Sequence, residues 1–203
     1  MVRRLAIFAG AIAVLSGCDR PASSAELGGG AVHSSGASQP GTTSRDAAIG
    51  EAMRRFRVGL DSPAHLDGPA RRDELVQRFF AALRNRDRSA LERLALNRAE
   101  FAYLVFPRSR WINPPYNQPP DIEWLLLSAK SDAGLTRLIR RAESFELLSY
   151  DCGKPGEVDG PVTYWPGCLV RLRDAGRWRE VKLFGSIMEL GGRFKFRDFN
   201  NAF

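Results

Sequence analysis

The sequence predicts an α+β domain in which N-terminal helices pack on a curved antiparallel sheet of four to five strands. Apolar residues recur at helical spacing from Leu75 onward, apolar and polar residues alternate toward the C-terminus, and glycines separate the last strands. Helices followed along the chain by strands are typical of the α+β class. With 203 residues, 44% of them hydrophobic, the chain is long enough for one domain with its own core.

The first residues predict an export signal. Arg3 and Arg4 precede an uncharged apolar run over residues 5–15, which is shorter than the roughly 20 residues of a membrane-spanning helix. The run leads into the motif LSGC, ending at Cys18, which resembles the bacterial lipobox. This resemblance implies that residues 1–17 are removed and that Cys18 carries a lipid. The alternative is an ordinary secretory signal whose cleavage site contains a cysteine.

Acyl chains on Cys18 would hold the protein on a membrane, because each buried CH₂ contributes about 0.8 kcal/mol. We therefore expect a bacterial envelope protein, anchored to the inner or outer membrane, with its domain in the periplasm or otherwise outside the cytoplasm. Asp19 resembles the inner-membrane retention signal of enterobacterial lipoproteins. Other bacterial groups read this position differently, so the choice of membrane stays open.

Residues 18–45 are predicted to be a flexible tether, because they are mostly Gly, Ser, Ala, Pro and Thr. Residues 46–68 follow as a linking helix or segment, and residues 69–203 as the folded domain. The linking segment has three apolar residues on a helical period, Ile49, Met53 and Phe56. We expect this helix to pack on the domain; the alternative is a helix lying on an anionic membrane surface.

Three helices are predicted within the domain. The first contains the apolar positions of residues 75–85. The second begins at Ser89, which with Glu92 matches a capping box, where each side chain accepts a hydrogen bond from the other residue's backbone amide. The third covers residues 121–143, with a break at Gly134.

The segments between these helices are less regular. Residues 101–106 are predicted to form a short strand or a helical turn. Residues 111–120 are predicted to form a loop, because their prolines do not fit a sheet or a helix interior. The loop's stiff aromatics and asparagine donors suit a glycan or a peptide, which makes Trp111, Asn113 and Tyr116 candidate ligand-binding residues. Alternatively, the loop folds back over the core.

Four strands are predicted, over residues 145–151, 164–173, 177–190 and 193–199. A two-residue Gly191-Gly192 turn sets Ile187 opposite Phe196 and Glu189 opposite Phe194. One face of the sheet is then apolar: Val181, Leu183, Gly185, Ile187, Phe194 and Phe196, with Asp198 as its one charged member. The other face is basic: Arg171, Arg173, Lys182, Arg193, Lys195 and Arg197.

Cys152 and Cys168 are predicted to form a structural disulfide, since export places them in an oxidising compartment. Pairing them in a hairpin of the first two strands brings apolar residues together. The expected pairs are Tyr150 with Val170 and Leu148 with Leu172. Neither a metal nor another cofactor is predicted, because the two histidines, His33 and His65, precede the first core helix.

The order of elements across about residues 72–203 resembles the NTF2-like (cystatin-like) superfamily, a helix-lined cone closed by an antiparallel sheet. Four short segments also resemble a family of uncharacterised bacterial lipoproteins, and that likeness implies no activity. They are Glu100-Phe101-Ala102-Tyr103, Pro114-Pro115-Tyr116, Leu183-Phe184-Gly185-Ser186 and Lys195-Phe196.

Asp198 is a candidate pocket residue, because NTF2-like enzymes hold a general acid or base in the cone. Burial among aromatics would raise the pKa of such a carboxylate. Tyr103 and Glu123 are further candidates if their segments line the same cone. The competing interpretation is that Asp198 caps a loop or pairs with an arginine such as Arg140. No second acid, histidine or nucleophile is strongly placed to complete a catalytic set with it.

Three functions follow from these features. The first is a non-catalytic envelope lipoprotein that binds a small molecule, a glycan such as a cell-wall fragment, or another envelope protein. The second is a small-pocket hydrolase or isomerase centred on Asp198. The third is a structural tether that contacts an anionic envelope surface through the basic sheet face. The formal charge of +7 falls to +5 without Arg3 and Arg4, and no nucleic-acid motif accompanies it, so a nucleic-acid partner is not predicted.

Overall fold

The computed structural model describes residues 41–141 and 145–202, so the predicted signal, Cys18 and most of the predicted tether lie outside the described residues. Helices come first and antiparallel strands follow, which confirms the α+β class. The helices of the described part are α1 (Gly41–Phe56), α2 (Arg72–Arg84), α3 (Arg88–Leu94), α4 (Arg98–Glu100) and α5 (Pro120–Arg141).

The strands form two antiparallel sheets, so the prediction of one curved sheet of four to five strands is wrong. The strands are β1 (Phe145–Asp151), β2 (Glu157–Asp159), β3 (Val162–Trp165), β4 (Leu169–Asp174), β5 (Arg177–Val181), β6 (Ile187–Leu190) and β7 (Arg193–Phe196). One sheet has the order β1-β4-β5, and the other has the order β2-β3-β6-β7.

Two predicted strands each overlap two strands of the structure, because the chain passes from one sheet to the other within them. The predicted strand 164–173 covers the end of β3 and most of β4, which are separated by a Pro-Gly pair whose proline has no amide hydrogen for a ladder. The predicted strand 177–190 holds β5 and β6. Between them, the Gly185 amide donates to the Asp198 carbonyl at 2.9 Å, outside the ladder of either sheet.

The four-stranded sheet has a buried apolar cluster on each face. Ile187 and Phe196 face the α2 cluster, the buried group around helix α2 whose members include Leu75, Phe79, Leu83, Val170, Leu183, Phe184, Ile187, Phe196 and Phe199. Met188 and Lys195 are paired across β6 and β7 on the opposite face. Met188 belongs to the α1 cluster, whose buried members are Met53, Phe56, Leu66, Leu96, Phe101, Ala102, Val105, Phe106, Leu127, Val162 and Met188.

This arrangement corrects the predicted basic face. The alternation of residues along β7 is as predicted, but Lys195 is only 1% exposed, because the α1 cluster covers its side of the sheet. Its ammonium donates to Glu100 Oε2 at 2.8 Å, and the Glu100 side chain is equally buried. Arg171 and Arg173 lie on β4, in the other sheet, and remain exposed.

Helix α1 packs on the domain through Met53 and Phe56, each 6% exposed, as expected. The Arg57 guanidinium then donates to the Ala102 carbonyl at 2.9 and 3.1 Å. The helix begins at Gly41, within the last part of the range 18–45 that is predicted to be a tether.

The predicted capping box at Ser89 is wrong. Asp87 caps α3 instead, since its carboxylate accepts from the Ala90 amide at 2.8 Å. A reciprocal capping box does exist one helix later, between Asn97 and Glu100 at the start of α4. Because both sites have a short polar residue followed three positions later by a hydrogen-bonding group, the sequence pattern alone does not separate them.

Residues 101–106 take the helical alternative, as a π-helical turn (Phe101–Val105) leading into a 3₁₀ turn (Phe106–Arg108). Helix α5 runs through Gly134 without the predicted break. A Cβ at this position would lie 1.8 Å from the Phe199 carbonyl oxygen. The glycine therefore allows the C-terminal segment to cross the helix closely.

The Cys152–Cys168 disulfide is present, as predicted, with an S–S distance of 1.99 Å. Tyr150 pairs with Val170, also as predicted. The second expected pair is wrong, because a bulge in β1 sets Leu147 rather than Leu148 opposite Leu172. The bulge leaves Leu148 46% exposed.

Candidate functional site

A small cleft opens where the α1 cluster meets the edge of the four-stranded sheet. Its volume is about 60 Å³. The segments that converge on it include the π-helical turn, the 3₁₀ turn Arg110–Ile112, the start of α5, the β2–β3 hairpin and the residue after β7. Its lining residues are Leu96, Phe101, Val105, Phe106, Ser109, Arg110, Trp111, Glu123, Leu127, Glu157, Asp159, Tyr164, Ser186 and Arg197.

The lining divides into an apolar floor and a charged rim. The floor residues are all buried members of the α1 cluster: Leu96, Phe101, Val105, Phe106 and Leu127. The rim has two ion pairs, Arg110 with Glu157 at 2.7 Å and Arg197 with Glu123 at 3.1 Å. The first pair is about half exposed, whereas the Glu123 side chain is only 14% exposed.

Asp159 ties the β2–β3 hairpin to the opposite wall. Its carboxylate accepts from the Ser109 hydroxyl at 3.0 Å and from the Arg110 amide at 3.0 Å. The following residue, Gly160, has φ +58°, and a Cβ there would lie 3.0 Å from the Arg108 carbonyl oxygen. The hairpin can therefore approach the 3₁₀ turns closely at this point.

Tyr164 stands between the two ion pairs on the sheet. It pairs with Glu157 on β2 and with Met188 on β6. Burial raises its pKa to about 12, although the nearby Arg197 cation opposes the shift. The phenol is therefore a neutral hydrogen-bonding group at any physiological pH.

The candidate binding loop supplies Trp111 to the cleft. The Trp111 ring packs edge-on against Tyr116 at 4.5 Å between centroids, and the Arg110 guanidinium lies 5.2 Å from the Trp111 centroid. Tyr116 is 47% exposed. Asn113 is exposed at the turn, and its carbonyl accepts from the Tyr116 and Asn117 amides.

The structure does not bring the predicted pocket residues together. Glu123 lines the cleft, but Tyr103 donates its hydroxyl to the Leu60 carbonyl at 3.2 Å, under the Arg57 guanidinium. Asp198 is buried on the other face of the sheet, where Oδ1 accepts from the Asn200 amide at 2.8 Å. A Cβ on Gly185 would lie 2.1 Å from that oxygen. Asp198 therefore caps a loop, as the competing interpretation held.

Most of the rim was not predicted as a site. Arg197 was assigned to the correct face, but that face was taken to be open to solvent. Glu157 and Asp159 fall in a segment for which no strand was predicted, between the cysteines. A signal was available there, because the alternating Glu157, Val158 and Asp159 precede a glycine turn and then Val162 and Tyr164.

No helix in ranges 41–141 and 145–202 is long and apolar enough to cross a membrane. In the same ranges, no group of three or more His, Cys, Asp and Glu side chains is placed to hold a metal ion. Comparison of the chain with protein-family models, curated proteins and solved structures found no match.

Proposed function

We propose that this chain is a lipid-anchored bacterial envelope protein whose domain is a non-catalytic binding module, with the cleft under Trp111 as its ligand site. The anchor is Cys18, and residues 1–17 are the export signal. The lipobox-like motif before Cys18 supports this assignment. The disulfide between Cys152 and Cys168 supports it too, because disulfides persist in oxidising compartments.

The NTF2-like relationship is part of the same proposal. Helices followed by antiparallel strands support it. The separation of the strands into two sheets differs from the single curved sheet that the relationship implies.

The state of the carboxylates in the cleft favours binding over catalysis. Glu123 and Glu157 are each paired with an arginine, and Asp159 is held by two donors. A general base must reach a substrate proton, and here each carboxylate already has a partner in the protein. The same groups still offer outward hydrogen-bonding positions beside aromatic surface, which is typical of ligand sites.

Lipid labelling tests the anchor. Cells expressing the full chain are fed an alkyne fatty acid, and the purified protein is examined by mass spectrometry. We expect label on Cys18 as the N-terminal residue, and no label in Cys18→Ala. Retention of residues 1–17, or label elsewhere, would overturn the anchor.

Thermal unfolding tests the ligand site. The full-length protein in detergent is mixed with a muropeptide digest, an envelope oligosaccharide fraction and an envelope small-molecule extract. We expect at least one fraction to raise the Tm of the unchanged protein but not that of Trp111→Ala. Trp178→Ala is the matched control, because this tryptophan is 56% exposed on β5 in the other sheet. If no fraction gives a Trp111-dependent shift, the binding proposal fails.

A further inference from the structure

The two levels of the cleft require different chemistry from a ligand. A group that reaches the floor meets only apolar side chains such as Phe101, Phe106 and Leu127. A group that stays at the rim meets guanidinium and carboxylate groups and the Tyr164 phenol. The matching ligand has a small apolar tip and a polar body.

The volume limits what can enter. About 60 Å³ accommodates a substituent of a few heavy atoms, far less than the roughly 300–1,000 Å³ of pockets that enclose a whole ligand. The ligand body must therefore remain at the mouth, beside the Trp111 ring.

The rim favours a neutral body. Both arginines of the cleft are already paired with carboxylates. Asp159, the third carboxylate of the cleft, already accepts hydrogen bonds from the Ser109 hydroxyl and the Arg110 amide. A charged ligand group would therefore compete with partners that the protein itself supplies. Hydroxyl groups can instead add hydrogen bonds to the outer atoms of intact pairs. The Tyr164 phenol is a further, uncharged hydrogen-bonding group in the same lining.

Trp111 supplies a flat surface at the mouth. Its ring is half-buried and is held between Tyr116 and the Arg110 guanidinium. A rigid aromatic ring offers a large contact area at a low cost in conformational entropy. The apolar C–H face of a sugar ring fits such a surface while its hydroxyl groups point to the polar rim.

We infer that the cleft binds a neutral glycan bearing a 2-acetamido group, with the acetamido methyl in the apolar floor, the sugar ring on Trp111 and the ring hydroxyls at the two ion pairs. This inference rests on the proposed binding function of the same cleft. It goes further by naming the substituent that the floor selects.

Calorimetric titration of the full-length protein in detergent tests the inference with three trisaccharide probes. They are the β-1,4-linked trimers of N-acetylglucosamine, glucose and glucosamine, which differ only at C2. We expect the acetamido trimer to bind at least tenfold more tightly than the other two. Since the pairs stay intact, its Kd should change less than twofold between 50 and 500 mM NaCl.

Variants assign the binding to the cleft. We expect Trp111→Ala to weaken the acetamido trimer at least tenfold, Trp111→Phe to retain most of the affinity, and Trp178→Ala to have no effect. Equal binding of the glucose and acetamido trimers would overturn the inference. So would Trp111-dependent binding of a muropeptide digest, but not of the acetamido trimer, which would leave the proposed function standing and point to the peptide part. If neither the digest nor the trimer bound, the inference would fail, and the proposed function would fail as well only if the oligosaccharide fraction and the small-molecule extract also gave no Trp111-dependent shift.

Discussion

The buried ion pair of Lys195 and Glu100 shows how one side chain can join several elements. Glu100 accepts from Lys195 at 2.8 Å, from the Asp67 amide at 2.6 Å and from the Asn97 amide at 3.0 Å. It thus connects β7, the segment before α2 and the start of α4. Breaking a buried pair by removing one partner leaves a charge without compensation, which costs far more than an exposed pair contributes.

We predict that Lys195→Met lowers the free energy of unfolding by about 3–5 kcal/mol. Glu100→Gln should also destabilise, because the amide loses the charge and one of its two acceptor oxygens. The double variant should be more stable than the sum of the two losses implies, by about 1–3 kcal/mol. Urea unfolding of the four proteins measures the coupling, and strict additivity would show that the two groups do not interact.

The raised pKa of Tyr164 predicts that the folded protein loses stability at alkaline pH. Its pKa is about 12 in the folded protein, against 10.0 for the exposed group. Between these values the unfolded chain releases this proton and the folded protein keeps it, so stability falls as pH rises.

Tyr164→Phe removes this contribution. We therefore expect the unchanged protein to lose more stability than Tyr164→Phe between pH 10 and pH 12, as measured by urea midpoints at each pH. Parallel curves for the two proteins would contradict a raised pKa at this position.

At the scale of elements, Gly50 of α1 and Gly134 of α5 are in opposite situations. A Cβ on Gly50 in α1 would meet only the Arg54 Nη1 atom at 3.8 Å. A Cβ on Gly134 in α5 would overlap the Phe199 backbone. Alanine is a better helix former than glycine by about 1 kcal/mol. Alanine at Gly50 therefore tests helix propensity alone, whereas alanine at Gly134 also tests the packing against the Phe199 backbone.

We predict that Gly50→Ala leaves stability unchanged or raises it by up to about 1 kcal/mol. Gly134→Ala should lower it by about 1–3 kcal/mol, because the C-terminal segment must move away from α5. Thermal or urea unfolding of both variants is the measurement. A stabilised Gly134→Ala protein would show that the close approach does not exist.

The disulfide closes a loop that contains β2 and β3. For its sequence separation of 16, the chain-entropy account gives roughly 3 kcal/mol of stabilisation. We expect replacement of both cysteines by serine to lower the free energy of unfolding by about that amount. Reductant should have the same effect on the unchanged protein and none on the serine variant; equal stability of both proteins in its absence would contradict the prediction.

Local patterns in the sequence were enough to predict the helices and the alternation of the strands, but not the sheet to which each strand belongs. Apolar and polar residues alternate in the same way before and after the point where the chain passes from one sheet to the other. Residues 177–190 were therefore predicted as one strand, although β5 and β6 lie in different sheets. The cleft shows the same limit. Trp111 and Glu123 were predictable as candidates, but Arg110 and Glu157, far apart in the sequence, become partners only once the β2–β3 hairpin folds over the 3₁₀ turn.

At the scale of the whole molecule, the four-stranded sheet is shared by two apolar clusters. Ile187 and Phe196 pack in the α2 cluster, and Met188 packs in the α1 cluster. Loss of packing in either cluster should therefore weaken the same sheet.

We predict that Phe56→Ala, which removes a ring of the α1 cluster, costs about 3–5 kcal/mol. Unfolding should remain one transition, with tryptophan fluorescence and circular dichroism coinciding. Val58→Ala is the control, since Val58 is 76% exposed, and it should change little. Separate transitions in the Phe56→Ala protein would show that the two clusters unfold independently.

Strand β7 has a further consequence for the fidelity of folding. Within this strand, Lys195 is bound to one buried partner on one face, and Phe194 and Phe196 on either side of it pack against the cluster on the opposite face. In a sheet with one face exposed to solvent, a register shift of one residue is unfavourable only because it moves the apolar side chains out of the core. Here the same shift would drive a cation among aromatic rings and leave Glu100 unpaired. A shifted register of β7 is therefore unfavourable on both faces of the sheet, and we expect folding intermediates with such a register to be short-lived.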